Sequence, residues 1–402
     1  MPAPDTRPPF AALGGVLPAA LHTLPTPCYL LDEGALRRNA ELLGALAQRT
    51  GCKILLAQKA FSNYDLYPLL APHLAGTEAS GLYEARLGAE EMPDGEVHVF
   101  CAAYRDDEMD ELLRYADHIV FNSPAQLAKF GAKVKAAGKS VGLRINPECS
   151  TQDGHAIYDP CAPGSRLGTT RAAWDAAVAQ NPALPQLLDG LHFHTLCEQD
   201  ADALAVTLNA VTEKFGDMLP KMKWVNFGGG HHITRPGYDL ETLEHCIARA
   251  QNAWGVTVYL EPGEACALNA GYLLTRVLDV VQNGGTTVAI LDASAACHMP
   301  DVIEMPYRPP LLFAGDAGQK PCTVRLAGPT CLAGDVIGDY SFDAVPRAGD
   351  LLVFGDMAIY TTCKNNTFNG MPLPAICVRD EAGHVRELVK FGYRDFKARL
   401  GR

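Results

Sequence analysis

Lys59 stands just past an apolar run, Ile54-Leu55-Leu56-Ala57, whose composition suits a buried strand. Lysine is among the side chains least often buried. An ammonium delivered there either marks the point where the strand surfaces or serves a cleft. Other residues with chemical capacity end similar runs. Glu78 and Ser80 close one, Arg144 and Asn146 another, His192 and His194 a third. Gly228, Gly229 and Gly230 close a fourth, and Glu261 and Glu264 a fifth. The set comprises an amine, an imidazole, a glycine-rich turn and a carboxylate. Three successive glycines let backbone N–H groups approach a phosphate, although they also suit a plain tight turn. Glu261 lies in Leu-Glu-Pro-Gly-Glu, where Pro262 and Gly263 fix a turn directly behind it. His194 is either a satisfied core histidine or a ring packed on a flat ligand.

Pyridoxal 5′-phosphate asks for such a set: a lysine for its Schiff base, an anion site and an acidic partner for its ring nitrogen. Lys59 supplies the amine, Gly228–Gly230 the anion site, and Glu261 the carboxylate that keeps the pyridinium protonated. His194 is placed to lie against the ring.

Eight short apolar segments carry these residues, at 53–60, 76–81, 97–101, 118–122, 141–147, 188–195, 223–230 and 257–264. Between them run stretches with apolar residues at helical spacing, such as Leu82–Glu91 and the stretch from Pro124, which Ser123 is suited to cap. Eight alternating units predict a (β/α)8 barrel, with its active site at the strand C-terminal ends. A doubly wound open sheet is the rival. After about residue 267 the rhythm changes to short strands separated by Gly, Pro and Asp, which read as a mostly β domain. The strand-like stretch 26–32 is suited to pair into it. The expected division is a barrel at 34–267 and a β domain made of 1–33 with 268–402.

The 402-residue chain is 48% hydrophobic and 20% charged, a composition that suits a globular protein with a large core. Its formal net charge of −12, from 46 acidic and 34 basic residues, argues against nucleic acid or anionic membrane partners. Thirteen cysteines are scattered along the chain without a Cys-x-x-Cys pair or a Cys/His group at zinc spacing, so no metal is expected. The start has little basic charge and is broken by prolines, unlike a secretory signal. A reducing cytoplasm is the simplest expectation.

At this point the chain resembles the alanine racemase-like pyridoxal-phosphate decarboxylases, which act on ornithine, diaminopimelate and arginine. Leu-Leu-Ala-Gln-Lys-Ala-Phe (55–61) is similar to their Schiff-base strand, His192-Phe193-His194 to the ring-stacking motif, and Phe227–Gly230 to the phosphate loop. Glu261–Glu264 is similar to the loop that meets the pyridinium. Residues 328–335 resemble the loop with the catalytic cysteine, here Cys331, and 360–370 the segment whose tyrosine, here Tyr360, touches the phosphate. The resemblance implies a homodimer in which the cysteine loop of one subunit enters the barrel of the other. Cys331, or Lys59 as the rival, would protonate the product carbon.

Three departures point to one branch. Glu264 stands where relatives carry a phosphate-binding arginine, Leu332 where an acid follows the cysteine, and Thr195-Leu196-Cys197 where Gly-Ser is common. With residues 297–310 and 391–400, these resemble the carboxynorspermidine (carboxyspermidine) decarboxylases. The implied substrate is a carboxylated triamine, with Glu264, Asp301 and Asp335 as carboxylates for its amines. Arg144, Arg166 and His231 are the candidates to replace the missing arginine. A diaminopimelate or other basic amino acid decarboxylase, an amino acid racemase and a catalytically silent cofactor-binding protein are the alternatives. Glu261 disfavours a racemase, which tunes the ring nitrogen with arginine.

Overall fold

The computed structural model describes residues 19–152 and 159–401. They fall into two compact units. One is Arg38–Cys266; the other combines the chain up to Arg37 with that from Ala267 onward.

In the first unit all eight apolar runs form parallel strands that close into a barrel. After β1 (Cys28–Asp32), which belongs to the other unit, they are β2 (Lys53–Ala57), β3 (Gly76–Ala79), β4 (Glu96–Phe100) and β5 (His118–Phe121). The circle continues with β6 (Ser140–Arg144), β7 (Gly190–His192), β8 (Trp224–Asn226) and β9 (Thr257–Leu260), and β9 pairs back to β2. Every strand but β4 is shorter than its apolar run. Of the residues expected at strand ends, Glu78, Arg144 and His192 lie in the last residues of β3, β6 and β7, while Lys59, Gly228–Gly230 and Glu261 lie in the turns just beyond β2, β8 and β9.

Helices join the strands and begin on identifiable signals. In Pro124–Ala136, Ser123 Oγ accepts from the Gln126 N–H at 3.3 Å and Pro124 fills the first turn. Asp239 caps Leu240–Trp254, which ends on Gly255 in the left-handed region. Inside the barrel, Trp224 packs with Leu55, Val120 and Tyr259. Its indole fills the space above Gly142 and Gly190, where a Cβ would overlap the ring.

The second unit is a mostly β sheet. Its longest strand, β10 (Gly271–Asn283), pairs with β1, with β11 (Thr286–Leu291) and with β15 (Leu351–Gly355). The sheet order runs β12-β14-β13-β11-β10-β1-β16-β17, where β12 is Gly315–Asp316, β13 Cys322–Ala327, β14 Val336–Phe342, β16 Ala375–Arg379 and β17 Val385–Val389. Residues 26–32 therefore contribute a central strand, antiparallel to β10 and parallel to β16. Residues 1–18 of the Pro/Ala-rich start lie outside the described residues. Among the described residues no helix is long and apolar enough to cross a membrane.

Candidate active site

Lys59 sits two residues past β2. The Gln58 N–H reaches the Glu78 carbonyl at 3.0 Å, extending the β2–β3 pairing by one residue, and the chain then turns. The Lys59 side chain is 35% exposed, and its Nζ lies 4.0 Å from Glu78 Oε2. Glu78 is almost wholly buried, and its Oε2 has no hydrogen-bond partner. Burial pushes its carboxyl up to about 8 against the pull of Lys59, so at neutral pH it is largely a neutral acid. The strand-end position of Glu78 was legible in the sequence; its burial beside the amine was not.

Glu261 follows β9 directly, and its N–H bonds the Gly228 carbonyl at 2.8 Å. Its two oxygens have one partner each. His192 Nε2 lies 3.1 Å from Oε2, and Asn226 Nδ2 donates to Oε1 at 2.6 Å. Burial raises the Glu261 carboxyl, but the His192 imidazole and the Lys59 charge outweigh it and hold it at about 2. Burial pushes His192 down, so we assign it as a neutral imidazole donating its Nε2–H to an ionised Glu261. Asn226 was missed by the sequence reading. Its signal is a polar residue ending β8, directly before the glycine loop.

Gly228, Gly229 and Gly230 bring the next turn against its neighbours. A Cβ at Gly228 would lie 2.5 Å from the Phe193 carbonyl oxygen, and one at Gly229 2.6 Å from that of Glu261. At Gly230, with φ +81°, it would overlap the Leu196 carbonyl. The first two N–H groups are used within the protein: Gly228 donates to Asn226 Oδ1 at 2.8 Å, and Gly229 to His194 Nδ1 at 3.2 Å. The Gly228 and Gly229 N–H groups thus have partners within the protein, and the absence of side chains at all three glycines lets the turn approach its neighbours closely. His194 accepts that bond as a neutral ring, because burial and the nearby Lys59 charge push it well below its ordinary value.

Arg144 ends β6. Its guanidinium lies 4.6 Å over the Phe100 ring and donates to the His194 carbonyl at 3.1 Å. Burial lowers it to about 10, which leaves it cationic at neutral pH. His231 is buried beside the loop, with both ring nitrogens unpartnered. Glu264 begins the short helix Glu264–Ala267 with its Oε2 3.8 Å from His232 Nε2, and Glu198 approaches the same pair.

The β unit carries the remaining candidates. Cys331 is exposed between β13 and β14, and its N–H donates to Asn369 Oδ1 at 2.7 Å. Asp335 does not present its carboxylate to solvent. It is buried and accepts from Ser294 Oγ at 2.9 and 3.0 Å and from Thr330 Oγ1 at 2.7 Å, with the N–H groups of Thr330 and Ala296 at 3.3 Å. A saturated buried carboxylate cannot also bind a substrate amine, so the substrate role expected for Asp335 is corrected to fastening the Cys331 loop. Asp301 is paired with Lys364, which also contacts Glu304 at 2.6 Å; an amine would have to displace a cation already in place. Tyr360 is held at φ +49°, a region uncommon for a non-glycine residue. Asp356, four residues earlier, is at +54° and accepts from the Asn269 N–H at 2.7 Å.

The barrel residues fit pyridoxal 5′-phosphate. A lysine amine, a buried ionised carboxylate and a glycine turn without side chains gather at one set of strand ends. Comparison with known proteins agrees. The family "Pyridoxal-dependent decarboxylase, C-terminal sheet domain" matches residues 28–358. The chain is 42% identical over 385 residues to a carboxynorspermidine/carboxyspermidine decarboxylase of Campylobacter jejuni, covering 93% of this chain and 98% of that one. It is 41% identical over 382 residues to a carboxyaminopropylagmatine decarboxylase of Synechocystis, covering 95% and 97%. The crystal structure of carboxynorspermidine decarboxylase from Campylobacter jejuni, complexed with norspermidine, superimposes with a TM-score of 0.84 at 40% identity, over 94% of this chain and all of that one. This chain belongs to the pyridoxal-dependent decarboxylases, and pyridoxal 5′-phosphate is its cofactor.

Proposed function

We propose that the chain decarboxylates carboxynorspermidine or carboxyspermidine, releasing norspermidine or spermidine in polyamine synthesis. The observation that carries this reading is the near-full-length likeness to the Campylobacter jejuni enzyme, whose homologous structure holds norspermidine. Pyridoxal phosphate, when bound, supplies the sink for the electron pair released as the carboxylate leaves. Lys59 provides the amine that anchors the cofactor. Glu261, kept ionised by His192 and Asn226, stands as the anionic partner of the ring nitrogen. His194 flanks the ring, and Gly230, Arg144, His231 and Tyr360 are the groups assigned to its phosphate. In the β unit, Cys331 is the proton donor to the product carbon. It acts from the partner subunit of a homodimer, and Asp335 and Asn369 fix its loop. The division of labour is a cofactor-binding barrel at about 34–267 and a β domain with the cysteine loop and the dimer contacts. Glu264, with Glu198 beside it, is the carboxylate for a distal substrate ammonium, a charge-assisted contact worth about 1.5–3 kcal/mol. Asp301 would assist if Lys364 moves aside. The thirteen free thiols suit a reducing cytoplasm.

A second reading rests on the 41% identity to the carboxyaminopropylagmatine decarboxylase. An agmatine-based substrate ends in a guanidinium, which pairs with carboxylates in a two-pronged geometry. The test is CO2 release by the cofactor-loaded enzyme from carboxynorspermidine, carboxyspermidine, carboxyaminopropylagmatine, diaminopimelate, ornithine and arginine in parallel. Release from the carboxytriamines alone is the expected result. Preference for carboxyaminopropylagmatine would select the second reading, and release from diaminopimelate or ornithine alone would refute both.

A further inference from the structure

The loop with Cys331 and the segment after Tyr360 are both seated on one short helix, Ala295–His298. From the loop, Asp335 accepts from Ser294 Oγ, the cap of that helix, and from the Ala296 N–H at 3.3 Å. From the segment, Asn366 Nδ2 donates to the Ala296 carbonyl at 2.8 Å, and the Asn366 N–H donates to the Cys297 carbonyl at 3.0 Å. Asn366 Oδ1 accepts from the Phe368 N–H at 2.9 Å, inside the next turn. That turn, Phe368–Gly370, presents Asn369, whose Oδ1 accepts the Cys331 N–H at 2.7 Å. None of its side chains is buried, and Asn369 and Gly370 stand in the left-handed region at φ +58° and +76°.

We propose that Asn366 is a positioning residue for Cys331, acting through Asn369 to set where the thiol presents its proton. The inference rests on the reading of Cys331 as proton donor. A turn without buried side chains has no core packing to place it, so hydrogen bonds must do so. Asparagine enters the left-handed region more readily than most side chains, but the conformation still costs energy and persists only where its surroundings hold it. Asn366 supplies three bonds, two to the helix and one to the turn, and its amide uses donor and acceptor at once. A carboxylate at 366 would set an oxygen against the Ala296 carbonyl, and an apolar side chain would serve neither partner. The other ties on the turn are lesser ones. The Cys297 thiol donates weakly to the Phe368 carbonyl at 3.6 Å, and Arg399 Nη1 reaches Thr367 Oγ1 at 2.7 Å from an exposed position. Asp335 and Asn366 thus brace the Cys331 loop from two sides on a common base. Ala296 and Asn366 are 70 residues apart, so no local spacing announces the bond in the sequence.

The experiment compares parent, Asn366→Ala, Asn369→Ala and Cys331→Ser as full-length, cofactor-loaded proteins. Hydrogen–deuterium exchange at the Cys331 amide is read by mass spectrometry, and kcat and KM by CO2 release from the preferred carboxytriamine. Asn369→Ala removes the acceptor itself and sets the scale. Asn366→Ala should speed exchange at Cys331 by about 10-fold or more. It should lower kcat roughly 10- to 100-fold, the cost of a misplacement of about 1 Å, with KM and the cofactor spectrum at parental values. Melting curves establish that the variants fold; if Asn366→Ala does not, Asn366→Asp takes its place, keeping the bond to Phe368 and losing that to Ala296. Parental exchange or parental kcat in the Asn366 variant, beside a slow Cys331→Ser, overturns the proposal. Faster exchange throughout the β unit would mark a merely structural role and overturns it too. Parental kcat in Cys331→Ser would instead overturn the reading of Cys331 on which the proposal rests.

Discussion

Glu78 makes the cofactor-free barrel measurably weaker as pH rises, and Glu78→Gln isolates the effect. Burial displaces its carboxyl from an ordinary 4.5 to about 8. Between those values the unfolded chain has already lost the proton that the folded chain still holds. Stability therefore falls with rising pH across that window. The contribution is fully present below 4.5 and has gone once pH passes about 8. At about 1.4 kcal/mol per tenfold change in acidity, the displacement amounts to about 5 kcal/mol. Glutamine keeps the shape and cannot titrate, so the substituted protein should gain on its parent by up to that amount between pH 5 and pH 8. All three tryptophans, Trp174, Trp224 and Trp254, lie within Arg38–Cys266, so intrinsic fluorescence reports unfolding of the barrel unit alone. Urea unfolding of cofactor-free parent and Glu78→Gln at pH 5, 6.5 and 8 is the assay. Parallel stability curves for the two proteins would refute a neutral buried Glu78 and the account of its neighbourhood with Lys59.

Lys59→Ala should abolish the visible band of lysine-linked cofactor; an unchanged spectrum removes Lys59 from its role. Gly229→Ala places a methyl 2.6 Å from the Glu261 carbonyl oxygen, so equilibrium titration with pyridoxal phosphate should show weakened binding. Cys331→Ser should slow decarboxylation by about 10²–10⁴-fold, the range for a lost proton donor, while the cofactor spectrum stays unchanged. Asp335→Ala leaves the hydroxyls and N–H groups around it without their acceptor. It should cost about 1–3 kcal/mol, read as a lower melting temperature, and should also slow turnover by loosening the Cys331 loop.

The barrel was legible because each strand is a short apolar run followed by a polar or glycine residue, a local signal. Its strand ends were less so. Runs such as 188–195 and 223–230 extend well past β7 and β8, because Asn226 Oδ1 and His194 Nδ1, accepting from the Gly228 and Gly229 N–H groups, take over where the ladder stops. The 13-residue β10 departs from the short strands expected after residue 267, although Gly284 and Gly285, at φ +54° and +80°, form the kind of hairpin turn that glycine pairs announce. Within the site, residue type and strand position placed Lys59, Glu261 and the glycines at one end of the barrel. Burial and partnership were beyond that reading. Asp335 looks in sequence like a carboxylate free to meet an amine, and only the fold shows Ser294 and Thr330 closing around it. Glu78 looks like an ordinary acid until it is found sealed beside an ammonium.

The fit of Trp224 over Gly142 and Gly190 bears on how this barrel can change by descent. A Cβ at residue 190 would occupy the place of the indole, while a smaller residue at 224 would leave the barrel interior hollow above two bare glycines. Either step alone costs stability, the first by overlap and the second by a cavity, although the pair of changes together restores a filled interior. The three positions are therefore coupled, and a substitution at one changes what the other two can accept. Residues remote from all chemistry can in this way limit which neighbours a sequence accepts.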